Sequence, residues 1–421
     1  MRKSAIFNYI FWSVVSIAVI ATGYSLSLRG GRDLKVGLYG VDQVLHGKSP
    51  YENISDTNRP LFRYAPGMAI IQYPFMLMSK KIEPLFYGDP LDFKDMLPSI
   101  FAWYLAELIA VALSGLMLLR LIPSPTKEEG LRNLKISLML ALPFLLYELS
   151  NSQNKLIALL FLLAALLLFK EKKMFFSAVY FCLALTVYSP LLVFILYFII
   201  KSKGRYIFSF IAGVFIVFFL VPSAVFGVGF NNYLLQQWFD RAIKPFSAAA
   251  SYVTYLDLRV SNQSLPGAIG RLLAPGGTIN FHYLVSPVSI HLLIRALSAV
   301  IVLFSCIAAW KNSKETSEGL VYPVFLMLAL MLPQYCIYYT WAWTFVFYFA
   351  ALNYAGRKEA PAADKIFLLA ASSVLFISTC LAGVSFLKSG SFILWSTMAL
   401  WAVMVKILIG QTPRLKKAAS R

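Results

Sequence analysis

The sequence predicts an all-α polytopic membrane protein, a single integral membrane domain over residues 1–421 with about 12 transmembrane helices and two long exterior loops. Three observations predict it. The chain is 59% hydrophobic and 14% charged, with a mean hydropathy of +0.70, whereas a soluble domain is about 45–50% apolar and about 25% charged. Apolar runs recur from end to end, so no stretch reads as a separate soluble domain. The 38 Lys and Arg residues, against 19 Asp and Glu, fall in short bursts between those runs, as they do in cytoplasmic loops. The net charge of +19 therefore reports topology and membrane-lipid contact, and no nucleic-acid partner is expected.

A hydrocarbon core about 30 Å thick takes about 20 apolar residues per helix. Runs of that length lie at about 7–26, 99–121, 206–228, 290–310, 365–386 and 391–410. Shorter runs lie near 134–149, 155–169, 174–188, 190–200, 319–334 and 336–355. They pair around three turns: Ser150-Asn151-Ser152-Gln153-Asn154, Ser189-Pro190 and Pro333-Gln334. Short spans are tolerated where protein covers their ends. With Arg2 and Lys3 inside, twelve spans keep Lys127, Arg132, Lys135, Lys170, Lys172 and Lys173 inside. Reading 174–200 as one span would move Lys201, Lys203 and Arg205 outside, against the positive-inside rule. Both termini are expected to be cytoplasmic. The first run is long and no small-residue cleavage site follows it, so it reads as a retained span.

Two segments then face outward, 27–98 and 229–289. Transporters commonly place their chemistry at the bilayer midplane; here acidic, polar and aromatic residues gather on one exterior side. Residues 66–78 are apolar, too short to span and carry Pro66 and Pro74, which suits a helix lying in the interface. Cys182, Cys306, Cys336 and Cys380 fall inside apolar runs without CxxC spacing. With three histidines, His46, His282 and His291, no metal site or other cofactor is expected.

Asp33 follows the first span directly, in Arg29-Gly30-Gly31-Arg32-Asp33-Leu34-Lys35-Val36. A carboxylate at that boundary can take a proton from an acceptor hydroxyl, and cationic neighbours favour its ionised form. It equally fits the cap of a helix over 34–46. Asp42 is a second candidate, nine residues on and therefore nearly opposite on such a helix.

Asp33-Leu34-x-Val36, Leu45-x-Gly47, Pro50-Tyr51, Phe62-x-Tyr64-x-Pro66 and Tyr73-Pro74, in that order, resemble glycosyltransferase family 87. These are bacterial GT-C-type enzymes that use polyprenyl-phosphate sugars, a mannosyltransferase among them. Ser152-Gln153-Asn154 is similar to the family's Gly-Gln-x-Asn turn, and Pro190 before Leu191-Leu192 to its Lys-x-x-Pro hairpin. Asn262-Gln263-Ser264-Leu265, with Gly267 and Arg271, resembles its second exterior loop, and the likeness extends over about residues 1–310.

The resemblance implies a GT-C-like bundle in the bacterial inner membrane and a hexosyltransferase, mannosyltransferase-like, working on the non-cytoplasmic face. It implies a polyprenyl-phosphate-linked sugar donor and a glycolipid or glycan acceptor. Asp33 matches the acidic residue that acts as general base. Three positions depart from the pattern. Ser152 stands for the glycine, Tyr64-Ala65-Pro66 for Tyr-Pro-Pro, and Thr186-Val187-Tyr188-Ser189 carries no basic residue ahead of Pro190. The donor phosphate then needs another cation. Arg63 and Arg259 are preferred because a guanidinium suits phosphate oxygens, and Lys155 is a third candidate. Tyr64, Gln153, Asn154, Asn262, Gln263 and His282 are the candidates for sugar or acceptor binding, although Gln153 and Asn154 could simply cap the helix at 155.

Glu107 is ionisable in mid-span, which marks function by default; Glu148 lies at the exterior end of its run. Tyr335, Tyr338, Tyr339, Trp341 and Trp343 could stack on a sugar or an isoprenoid, or form an interfacial belt. The expected reaction is direct displacement with inversion. A transporter or flippase of a lipid-linked saccharide, and a polysaccharide ligase or polymerase, are the alternatives.

Overall fold

The computed structural model describes residues 2–29, 31–51, 62, 64–79, 94–240, 258–274, 286–312, 315–382 and 384–418. Among these residues the regular structure is helical, with no strand and an isolated bridge between Asn262 and Ile337.

Six helices are long and apolar enough to cross a membrane: Ala5–Leu28, Leu97–Leu121, Tyr206–Phe226, Val288–Lys311, Ala362–Cys380 and Phe392–Gly410. A seventh span forms if Lys127–Leu140 and Leu142–Ser150, bent by 63°, count as one. The bend has a local cause. Pro143 has no N–H for the Met139 carbonyl and its ring crowds that turn, so the helix breaks at Ala141. The remaining expected runs are helical over shorter stretches: Lys155–Lys170, Met174–Val187, Ser189–Ser202, Glu315–Met331, and Tyr338–Trp343 running into Thr344–Ala355. At 1.5 Å per residue a 14-residue helix such as Met174–Val187 reaches about 21 Å, short of the hydrocarbon thickness.

The chain divides into two compact units. The first comprises Met1–Ser114, Leu145–Ser189 and Ser209–Lys244. Its centre is a hairpin of Lys155–Lys170 and Met174–Val187, closed by a turn in which Lys172 is left-handed and Lys173 pairs with Glu171 at 2.8 Å. Ser177 Oγ donates to the Ala165 carbonyl across that hairpin at 2.8 Å. Leu156–Leu159 and Leu162–Leu166 are all buried, so the helix is apolar all round and shielded all round.

The helix expected at 34–46 is present as Arg32–Leu45, and the one expected at 66–78 as Gly67–Met76. Leu34, Leu38 and Val41 share one helical face and are buried. The two helices approach through glycine: a Cβ on Gly37 would lie 2.5 Å from the Gln72 side chain, and one on Gly40 would lie 2.3 Å from the Phe62 ring. Gly67–Met76 buries Gly67, Met68, Ala69 and Gln72 and leaves Tyr73 exposed, as are Leu77 and Met78 just beyond its end. In Tyr206–Phe226 the stretch Phe215–Leu220 widens to π geometry ahead of Pro222. Pro222 leaves the Phe218 carbonyl without its helical donor, and Asn231 Nδ2 supplies one at 3.1 Å.

The second unit comprises Gly115–Phe144, Pro190–Phe208 and Pro245–Arg421. Lys127–Leu140 packs on Thr344–Ala355 through a buried amide pair, Asn133 Nδ2 to Asn353 Oδ1 at 2.9 Å. Ala362–Cys380 packs on Phe392–Ala418, with Ser378 and Ser396 hydroxyls 2.6 Å apart. Asn312 donates to the Leu408 carbonyl at 2.8 Å and accepts from Lys201 at its own carbonyl, which ties two helix ends to the side of a third helix. Tyr197 packs edge-on against Tyr322 and Phe325 with ring centroids 5.6 and 5.8 Å apart, and Phe194 lies tilted against Phe325 at 5.8 Å.

Candidate functional site

In the first unit the turn Ser150–Asn154 and the helix it starts collect most of the expected residues. Glu148 is fully buried, and its Oε1 accepts from the Lys155 backbone N–H at 2.8 Å; the carboxylate also bonds the Leu156 backbone. Glu148 therefore caps the helix Lys155–Lys170, its oxygen meeting N–H groups that the first turn leaves without a helical acceptor. Asn154 does not cap it. Its Oδ1 accepts instead from Lys155 Nζ at 3.0 Å. Ser152 has φ 48°, the left-handed region that favours glycine. Serine occupies this position here with strain.

Three contacts bring other segments to this turn. Gly31 lies so close that a Cβ on it would sit 2.7 Å from Ser152 Oγ, which sets the start of the helix Arg32–Leu45, and with it Asp33, against the turn. Asp33 is half-buried in that first helical turn and within electrostatic reach of Glu148. Trp103 Nε1 donates to the Gln153 carbonyl at 3.0 Å. One helical turn further along the same face, Glu107 is fully buried and within electrostatic reach of Glu148. Tyr64 arrives through its loop. The Tyr51 hydroxyl donates to the Tyr64 carbonyl at 2.6 Å, and burial pushes that phenol well above its ordinary range, so it stays a donor. Phe62 packs edge-on against both tyrosines.

Lys155 Nζ ends over the Tyr64 ring at 5.5 Å and the Tyr188 ring at 4.9 Å. On the same turn and the helix of Trp103 several buried polar atoms have no hydrogen-bond partner among the described residues: Glu148 Oε2, Ser152 Oγ, Gln153 Nε2 and both Glu107 oxygens. Atoms of that kind cost about 1–3 kcal/mol each unless a ligand or water meets them. The structure thus brings together Asp33, Tyr64, Gln153, Asn154 and Lys155 of the expected set. Asp42 pairs with His46 on its own helix at 3.4 Å. Arg63 and His282 lie outside the described residues.

In the second unit Asn262, Gln263 and Arg271 are buried and hold loops together. Asn262 Oδ1 accepts from Cys336 N at 2.9 Å and Ser264 N at 3.2 Å, while its Nδ2 donates to the Gln334 carbonyl at 2.7 Å. Both ends of the amide bond backbone and hold the loop. Gln263 Nε2 donates to the Val260 and Lys388 carbonyls at 2.8 and 3.0 Å. Arg271 donates to the Arg259 carbonyl at 2.8 Å, to the Ser389 carbonyl at 3.3 Å and to the Ser391 hydroxyl. Arg259 is exposed, with its guanidinium 5.2 Å from the Tyr335 ring. Trp341 and Trp343 are fully buried and Tyr338 nearly so, which makes this aromatic group packed interior rather than a lipid-facing belt.

Three participants were not legible from spacing: Glu148 as the cap, Trp103 as the tie to Gln153, and Tyr188 on Lys155. The sequence signal for the second was present in part, since Trp103 and Glu107 are four residues apart in one apolar helix.

Among the described residues the fold is helical, and six or seven membrane-capable helices define a multi-pass membrane protein. The family model of glycosyltransferase family 87 matches residues 62–333, and the chain belongs to that family: it is a membrane glycosyltransferase. No curated protein and no solved structure matches the chain. The matched stretch includes Tyr64, Gln153, Asn154 and Lys155, while Asp33 precedes it.

Proposed function

We propose that this glycosyltransferase moves a hexose from a polyprenyl-phosphate-linked donor to a glycolipid or glycan acceptor on the non-cytoplasmic face, with Asp33 as general base. The observation that carries the reading is the meeting of Asp33, Glu148 and Lys155 at one turn. Displacement at an anomeric carbon needs a base on the entering side and a cation on the leaving side. Asp33 removes the proton of the acceptor hydroxyl as its oxygen bonds to the anomeric carbon. The bond from that carbon to the phosphate oxygen breaks, the configuration inverts, and polyprenyl phosphate leaves with its charge met by Lys155. Tyr64 and Asn154 stand beside the ammonium, and Gln153 lies on the same turn with its buried Nε2 without a partner among the described residues, a donor that a sugar hydroxyl would satisfy. Arg63, Arg259 and His282 are further contacts proposed from sequence alone.

The topology proposed with it keeps both termini in the cytoplasm of a bacterial inner membrane. Twelve spans cross it in one integral membrane domain, several of them short helices covered by protein, and 27–98 and 229–289 lie outside. The test is transfer of radiolabelled sugar from polyprenyl-phosphate donors by membranes holding equal amounts of wild type or Asp33→Asn. Loss of about 10²–10⁴-fold in rate is expected for removal of a general base. Equal rates would discard Asp33 and turn attention to Asp42 and Glu148. Labelled lipid crossing the bilayer without any transfer would make the chain a flippase instead.

A further inference from the structure

Tyr188 stands in the hairpin segment that carries no basic residue. Helix Met174–Val187 ends there, with the Tyr188 N–H donating to the Ala184 carbonyl at 2.8 Å and the backbone turning extended, φ −147° and ψ 92°. The side chain is buried, yet its ring reaches the Lys155 ammonium, 33 positions earlier in the chain, at 4.9 Å. Tyr64 offers a second ring to the same ammonium at 5.5 Å.

An aromatic face attracts an ammonium through its quadrupole without cancelling the charge, whereas a carboxylate at contact cancels it. The distinction matters because Glu148 acts electrostatically on Lys155 from the helix cap. Two ring faces compete for the ammonium, and Asn154 Oδ1 fixes one of its donors at 3.0 Å. The result is an ammonium held in place by two rings and one amide oxygen.

We propose that Tyr188 is a positioning residue whose ring, together with that of Tyr64, holds the Lys155 ammonium toward the phosphate of the lipid-linked donor. This rests on the assignment of Lys155 to the donor phosphate made above. The hairpin supplies a ring that places a cation from the neighbouring helix, and the phenol hydroxyl is not required. Tyr188 makes and breaks no bond itself.

The probe is polyprenyl phosphate without sugar, titrated into the full chain in nanodiscs. Lys155→Gln should weaken binding, Tyr188→Leu should weaken it about tenfold, and Tyr188→Phe should stay within about twofold of wild type. The Lys155→Gln/Tyr188→Leu double variant should bind no more weakly than Lys155→Gln alone. In sugar transfer, Tyr188→Leu should raise the donor KM and lower kcat, because Lys155 also meets the leaving charge, and should leave the acceptor KM unchanged. If Lys155→Gln binds as wild type, the assignment of Lys155 fails and this inference with it. If Lys155→Gln weakens binding and Tyr188→Leu does not, the assignment stands and the inference falls. Tyr188→Phe as weak as Tyr188→Leu also overturns it. Thermal melts show which variants fold, and Tyr188→Met, of similar size and without a π face, replaces a leucine variant that does not.

Discussion

Ser152 and Gly31 are neighbours whose conformations constrain each other. Ser152 sits at φ 48°, and its hydroxyl occupies the place a Gly31 Cβ would need. Gly31 itself has φ −86°, which any residue adopts, so glycine is required there for space alone. Gly31→Ala should push the start of the Asp33 helix away from the turn and lower transfer, with a destabilisation of about 1–3 kcal/mol. Ser152→Gly removes both the obstructing side chain and about 1 kcal/mol of left-handed strain. It should be neutral or stabilising by itself and should restore part of what Gly31→Ala loses. Melting and transfer rates over that double-mutant cycle check it; additive losses would mean that the two residues do not meet.

At the scale of the element, the helix Lys155–Lys170 depends on a cap seven residues before its first residue. Glu148→Ala leaves the first N–H groups of a buried helix without an acceptor and should cost about 1–2 kcal/mol. Glu148→Gln keeps an acceptor oxygen and should cost less, although it replaces an ionisable group beside Asp33 and Lys155. Melting curves separate the two effects from transfer rates. Equal loss of stability in both variants would show that the charge rather than the acceptor oxygen is what the helix needs. The same helix shows why motif spacing misled at Asn154. Asn is a good cap in general, yet here a deeper carboxylate reaches the free N–H groups first, and the amide turns to the lysine. In the second unit Asn262 likewise gives its amide to the backbone at 334–336, a partnership about 70 residues distant that no local pattern announces.

For the whole molecule the proposed orientation makes a direct prediction. Lys48 and Lys172 are both exposed, the first in the proposed exterior segment and the second in a proposed cytoplasmic turn. In intact cells a membrane-impermeant thiol reagent should label Lys48→Cys and spare Lys172→Cys, with both labelled after permeabilisation. The reverse pattern would invert the topology and remove Asp33 from the exterior face. The expected apolar runs are helical throughout their described centres, because apolar content and length act within a segment whatever surrounds it. Their division into six or seven full-length helices and several shorter ones was less legible, since Pro143 breaks one helix and the hairpin at 155–187 is shielded by protein rather than measured against lipid.

What the sequence determined by itself is therefore the membrane, the positions of the helices and, through ordered short motifs, the family. Each follows from composition or spacing along a few tens of residues. Only the tertiary structure decided which polar groups meet. Trp103 finds Gln153 across 50 positions, Glu148 caps the next helix, and Tyr188 lays its ring on Lys155. Those meetings depend on how helices pack and turn, and in an apolar chain the packing is set by side-chain shape, which leaves no periodic trace in the order of the residues.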